Sequence, residues 1–407
     1  MTKNTWIAIV LFIPSMWSCN ELFTSAPAEN ELLDGPMDGL SPVQLATFIK
    51  GDDAFGEVFV PETGLGPYFV TASCAQCHPG DGKGHPTNTL TRFGKMNGGV
   101  FDHMIEEGGP QLQNRSIPGF IPETIPSSAT GISRFTAPAV TGLGLLAAVS
   151  DQTILDLADP DDLDSDGISG VPNYQIPPDY FTPLDIHIPD SEGRYIGRFG
   201  KKAGAINLLI QTVGAYKQDM GVTTEFDTED PINYLESDTQ MADVPDPEVT
   251  TEKVNHLVFY LLTLKTPIRR NQDDPQVLTG EQIFKEIGCE ACHKQTLVSA
   301  INSIAALSEK EFHPYTDLLM HDMGAGLDDG YTEGTALTSE WRTPPLWGVG
   351  LSRDVQGGTY FLLHDGRAKS LEEAILMHGG EAESSKNAFA ALNKSDETAL
   401  IKFLESL

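Results

Sequence analysis

The chain has 407 residues, with 26 Lys and Arg against 58 Asp and Glu, a formal net charge of −32. That balance argues against a nucleic-acid binder, because phosphate backbones are held by clustered Lys and Arg. With 40% hydrophobic and 21% charged residues the chain is globular, long enough for two or three domains, and its 39 Gly and 27 Pro make much of it loop.

The N-terminus reads MTKNTWIAIVLFIPSMWSCN. Lys3 gives a short positive region, and Trp6 to Trp17 form an apolar run too short to span a bilayer but suited to the core of a signal peptide. Ser18 before Cys19 resembles a bacterial lipoprotein cleavage site, with Met16 at the −3 position where Leu is usual. The expectation is a signal over 1–18, cleaved before Cys19, and a tether over 19–39. The protein would then be periplasmic or tethered to the outer membrane, meeting a membrane only through an N-terminal lipid. An ordinary secretory signal is the other reading.

Four cysteines follow, as CAQCH at 74–78 and CEACH at 289–293. Each is a C-x-x-C-H, the signature of covalent c-type haem attachment. Two thiols one helical turn apart can add to the two vinyl groups of one porphyrin, and the adjacent His binds the iron. A zinc site would want a shorter spacer than the stretch from 77 to 289. A thioredoxin-like pair would want a βαβ context. Structural disulfides would not explain His78 and His293. Cys74, Cys77, His78, Cys289, Cys292 and His293 therefore predict two covalently bound c-type haems.

Between the motifs lies a very acidic stretch: 151–192 holds eleven Asp or Glu and 222–252 holds ten, neither with any Lys or Arg. Within DDLDSDGISG at 161–170, Asp162, Asp164 and Asp166 before Gly167 match the first half of a calcium loop. The twelfth position is Asn173 rather than a bidentate Glu, so two readings stand: a bound Ca²⁺, or a solvated acidic turn. Helical spacing of apolar residues then marks 251–265, stopped by Pro267, a short helix over 279–288 ended by Gly288, and a closing helix over 396–407. Helix, haem motif, loop and closing helix make a cytochrome c layout, present twice. The expected fold is mainly α: two cytochrome c-like haem domains at 40–270 and 275–407, the first carrying a loop-rich acidic insertion over about 125–250.

With RTPPLWGVGL at 342–351 and LLHDGRAKSLEEAILMHGGEA at 362–382, the chain resembles the bacterial di-haem peroxidase superfamily. It is most similar to the di-haem "thiol oxidoreductase-like" branch, through GPQLQNRSIPGF at 109–120, ADPDDLDSDGISG at 158–170, GRFGKKAG at 197–204, DMGVT at 219–223 and HDMGAGLDDG at 321–330. The resemblance implies two facing haem domains, one haem relaying electrons and the other reacting with peroxide. Some relatives instead oxidise side chains of a partner protein. Nothing in the residues supports thiol chemistry, since no cysteine after residue 19 is left over from the two motifs.

His78 and His293 are the expected proximal ligands. The resemblance places the distal ligand of the C-terminal haem at His378, beside Met377, with His321 and Met323 as the next candidates. For the N-terminal haem, His85 and His103 are weighed against an open or water-bound site, and the open site is preferred. In the resembled family a Glu falls in the segment that here reads GLGLLAAVSD at 142–151, where this chain has Ala147 and Ala148. Gln111, Gln113 and Glu123 are the remaining acid–base candidates, each of which also reads as a loop residue. Arg342 is expected to pair with a haem propionate. His256 and His364 read as packed structural residues, Trp341 and Trp347 as core. The expected function is an exported di-haem oxidoreductase that takes electrons from a redox protein such as a small cytochrome at the C-terminal haem. It would reduce peroxide or a similar small oxidant at the N-terminal haem. The alternatives are a non-catalytic electron-transfer cytochrome and an oxidase acting on a partner protein.

Overall fold

A computed structural model describes residues 27–236 and 244–407. The expected signal over 1–18, Cys19 and the start of the tether lie outside them. Eleven α-helices are described: α1 Pro42–Gly56, α2 Cys74–Cys77, α3 Leu143–Ala147, α4 Asp151–Leu157, α5 Leu208–Met220, α6 Thr251–Thr263, α7 Pro275–Glu286, α8 Ser352–Val355, α9 Leu371–Leu376, α10 Glu383–Ala390 and α11 Lys394–Ser406. None of the described helices is long and apolar enough to cross a membrane.

Each C-x-x-C-H motif lies in sequence between the two helices of one of two similar crossed pairs. Ser41 accepts from Gln44 N while the Gln44 side chain accepts from Ser41 N, and Pro42 follows, so α1 starts on a capping box. Asp274 and Pro275 start α7 in a related way. Helix α1 crosses α6 at Gly51, where a Cβ would lie 2.2 Å from the His256 carbonyl oxygen. Helix α7 crosses α11 at Gly280, where a Cβ would lie 2.0 Å from the Ala399 carbonyl oxygen. Only a residue without Cβ allows either contact. The aromatic packing repeats as well. Phe55 lies 5.4 Å from Tyr260 and 6.0 Å from His78; Phe284 lies 5.2 Å from Phe403 and 6.4 Å from His293.

The mainly α expectation is corrected by the structure: it is 34% helix and 12% strand, with five small antiparallel sheets. Strands β1 Tyr68–Phe69 and β4 Arg115–Ser116 pair, and β2 Leu90–Asn97 is flanked by β3 Val100–Asp102 and β5 Gly131–Phe135. The other ribbons are β6 Tyr174–Gln175 with β7 Tyr195–Ile196, β8 Leu297–Val298 with β9 Glu311–Phe312, and β10 Met320–Asp322 with β11 Glu340–Arg342. Most are two or three residues long, too short to show a period-2 pattern. Only β5 alternates cleanly, with Gly131, Ser133 and Phe135 buried and Ile132 and Arg134 exposed. Much of what reads as loop thus pairs its backbone in ribbons.

Among the described residues two large hydrophobic cores result, with two smaller clusters beside them. One runs from Phe48 to Leu264 but also takes in Leu297, Leu307, Phe312, Leu318, Leu319 and Trp347. The other is built from Val277 to Leu407 around Phe284, Leu400 and Phe403. Behind the first core, Arg198 (1% exposed) pairs with Asp151 (0% exposed) and also donates to the carbonyls of Ala147 and Val149. Asp151 accepts from Ile188 N at 2.7 Å. This buried pair, in which only the Arg198 Nε lacks a partner among the described residues, fastens α3 and α4 to the 186–198 segment and fixes one wall of the cavity between the cores.

Candidate functional site

A continuous cavity of about 730 Å³ is lined by Cys74, Cys77 and His78 on one side and by Cys289, Cys292 and His293 on the other. Helix α2 carries the first cysteine pair, and a single 3₁₀ turn, Cys289–Ala291, carries the second. The four thiols are free. Burial pushes Cys74 and Cys289 up to about 12 and Cys77 up to about 11, so they stay protonated and are poor thiolate nucleophiles.

Three histidines share one arrangement among the described residues. His78 donates Nδ1–H to the Pro138 carbonyl at 2.7 Å, His293 to the Tyr315 carbonyl at 2.9 Å, and His378 to the Ala374 carbonyl at 2.8 Å. All three line the cavity. That bond selects the tautomer with a lone pair on Nε2 and fixes the ring, as metal-bound imidazoles require. Burial holds His78 and His293 near pKa 4 and lowers His378, keeping each ring neutral. His378 is within electrostatic reach of His293. These residues fit haem iron on chemistry alone: paired thiols, an adjacent neutral imidazole and an apolar cavity between them.

His321 is built differently. Its Nε2 faces Asp317 at 2.9 Å and its Nδ1 faces Glu381 at 2.7 Å. Burial opposes its charge, but the bonds to Asp317, Cys292 and Glu381 outweigh that and push it up to about 12. Both nitrogens are engaged, so it offers iron no lone pair. Ser169 Oγ donates to Glu381 at 2.6 Å, which ties the acidic loop to this cluster. Met323 lines the cavity; His85 does not, and accepts from Thr87 N through Nδ1 instead.

On the side of the first motif the cavity wall is polar. Arg92, His103, Gln218, Asp219, Tyr331 and Glu333 line it. Arg92 donates to Gln218 Oε1 at 2.6 Å, and Tyr331 donates to Glu333 at 3.0 Å. The Asp219 carboxylate is close enough to raise both Cys74 and Cys77. His103 has a buried Nδ1 without a partner among the described residues. The three residues singled out from the sequence come together, but one layer behind this wall. Gln111 donates to Asp219 Oδ1 at 2.6 Å and to the Gln218 carbonyl at 2.8 Å; Gln113 donates to the same carbonyl at 3.1 Å; Glu123 accepts from Gln113 N at 2.6 Å. Arg92, Asp219 and Tyr331 were missed, although Asp219 opens the DMGVT block already noted.

Arg342 lines the cavity, donating Nε–H to the Gly200 carbonyl at 3.0 Å and Nη1–H to the Thr343 carbonyl at 3.1 Å. Arg367 pairs instead with Asp365. His364 stacks on Trp341 at 3.8 Å with Asp329 3.4 Å from its Nε2. In the acidic loop, Asp159, Asp162 and Asp164 bring carboxylate oxygens within 4.8 Å of one another. They accept from the loop's own N–H groups: Asp159 from Leu163 and Asp164, Asp162 from Gly167, Asp164 from Asp166. Asp166 is not in that group and caps Ile168 N. This is how a self-capped turn uses its carboxylates, and calcium is given no support by it.

Residues 130–407 match the family model described as "Di-haem oxidoreductase, putative peroxidase". No curated protein matches the chain. Among solved structures, the xenon-pressurised hydrazine synthase of Kuenenia stuttgartiensis aligns over 99% of this chain and 100% of its own, at 14% identity and a TM-score of 0.38.

Proposed function

The chain belongs to the di-haem oxidoreductase family, and on that premise we propose that it holds two covalent c-type haems, one at each C-x-x-C-H, and reduces peroxide or a similar small oxidant beside the first. Electrons arrive at the second from a reduced redox protein. The net charge of −32 favours a donor with a basic docking face, and the N-terminal apolar run supplies export in this reading. Haem, when bound, supplies the redox chemistry itself.

The carrying observation is the unequal number of braced histidines. His293 has His378 within electrostatic reach and with the same Nδ1-to-carbonyl bond, so both imidazoles would be available to hold the second haem. His78 has no such counterpart among the described residues and is met instead by the polar wall of Arg92, His103 and Asp219. Peroxide takes two electrons and two protons and leaves as two waters. Arg92 is placed to polarise its oxygens. His103, through the unpartnered Nδ1, and Asp219, held by Gln111, are placed to carry the protons. Burial raises the Asp219 pKa against the opposing pull of Gln111 and Arg92, which favours a carboxyl able to hold a proton.

Electron paramagnetic resonance on the half-reduced holoprotein tests this. The expected spectrum has a high-spin ferric signal that shifts on adding peroxide. In the fully oxidised holoprotein, where both irons are ferric, His378→Ala should add a second high-spin signal while leaving the first. A wild-type spectrum that is low-spin throughout and indifferent to peroxide would make the protein an electron carrier.

A further inference from the structure

Three cations stand on the cavity wall with no salt bridge among the described residues; Asp317 is within electrostatic reach of Arg342. Lys83 lies five residues after His78, Lys201 sits in the turn after Phe199, and Arg342 ends β11; all three line the same cavity. Among the described residues neither lysine ammonium has a hydrogen-bond or salt-bridge partner. The neighbouring lysine shows what a satisfied one looks like here. Lys202 donates to the carbonyls of Thr338 at 2.7 Å and Glu340 at 2.6 Å and sits 3.7 Å from the Trp341 ring centre. Lys201 makes none of these contacts, although its own carbonyl accepts from Arg342 N at 3.2 Å. The carboxylate within electrostatic reach of both Lys83 and Lys201 is Asp365, which is already engaged by Arg367 Nε at 2.7 Å.

Gathering three cations along one wall is costly unless anions sit beside them; Arg342 is buried here, and Lys83 and Lys201 are half-buried. Burial lowers Lys83 to about 8 and Arg342 to about 10. Burial, then Lys83 and Arg342, pull Lys201 well below the usual lysine range. Lys201 thus feels the cation on the first-motif side, the cation on the second-motif side, and His78 itself. Such a cluster is stable when anions enter the cavity, and a porphyrin carries two carboxylates.

We propose that Lys83, Lys201 and Arg342 form one cationic seam for the haem propionates, with Lys83 serving the first haem, Arg342 the second, and Lys201 shared between them. The proposal rests on the two-haem reading but not on peroxide turnover. A shared cation stabilises the added electron at either iron, so its loss lowers both reduction potentials.

The test is a potentiometric titration of the holoprotein, with paramagnetic resonance assigning each midpoint to its haem. Lys201→Met should lower both midpoints, and Lys201→Arg should leave both close to wild type. Lys83→Met should lower only the first and Arg342→Gln only the second. Lys310→Met, which removes an exposed lysine outside the cavity, should move neither. Lys201→Met midpoints that stay put, or that move at one haem alone, overturn the shared role. A Lys83→Met variant that moves both or neither overturns the seam. A haemochrome assay on wild type counts haems independently: fewer than two sinks the two-haem reading, whereas two haems with unmoved potentials sink only the seam.

Discussion

Glu123 is a buried carboxyl whose charge is poorly accommodated. It is 5% exposed, its Oε1 has no partner among the described residues, and burial raises its pKa from 4.5 to about 8 against the one bond from Gln113 N. A carboxyl raised in the folded state binds more protons folded than unfolded, so its charging erodes stability as pH climbs from about 4.5 to about 8. Glu123→Gln should match wild type near pH 4 and gain on it through that window, by up to about 1.4 kcal/mol per pH unit. Urea unfolding at pH 4, 6 and 8.5 reads this; equal gains at all three would contradict it. The sequence marks Gln111, Gln113 and Glu123 as polar residues near the first motif, and the structure does gather them. Which layer they occupy depends on α5, whose last turn puts Gln218 and Asp219 between them and the cavity. Spacing along the chain carries no information about that depth.

Helices were the legible elements. The spans read as 251–265 and 396–407 are α6 Thr251–Thr263 and α11 Lys394–Ser406, and 279–288 is the end of α7 with Gly288 in the left-handed region. The missed start of α7 was signalled by Asp274-Pro275, a cap followed by proline at the first helical position. Helix α1 lacks a strong apolar stripe, since Val43, Leu45 and Ile49 are exposed while Phe48, Gly51, Ala54 and Phe55 are buried. Its contacts with α6 run through Phe48, Gly51 and Phe55, and the matching close approaches at Gly51 and Gly280 reveal the repeat. Gly280→Ala would put a methyl against the Ala399 carbonyl and force α7 and α11 apart. Overpacking of this kind costs about 1–3 kcal/mol. The denaturation midpoint should fall, with the optical change centred on the second haem and the first haem's spectrum unaltered. A variant as stable as wild type would show that the crossing has slack.

At the scale of the whole molecule, the two cores are not two consecutive stretches of chain. Leu297, Leu307, Phe312, Leu318, Leu319 and Trp347 complete the first core from beyond the second haem motif, and Ala300 N donates to the Ala148 carbonyl at 2.8 Å. Further ties hold the parts together: Val171 and Met320 exchange both backbone bonds, and Thr136 N donates to the His364 carbonyl at 2.8 Å. A fragment of residues 1–270 should therefore fail to unfold cooperatively, because it leaves buried apolar surface uncovered. Calorimetry on that fragment checks this; a sharp transition like that of the full chain would refute it.

The same interleaving sets a timetable during synthesis. Cys74 and Cys77 are made early, but the core that encloses them is finished only when Trp347 has emerged, more than two-thirds of the way along the chain. Until then the apolar residues around the first motif are only partly covered. The second motif has a shorter wait, from Cys292 to the arrival of α11. A chain whose cores closed in order would shut its first site before its second was made; in this one the first core cannot be completed until the segment beyond the second motif is present.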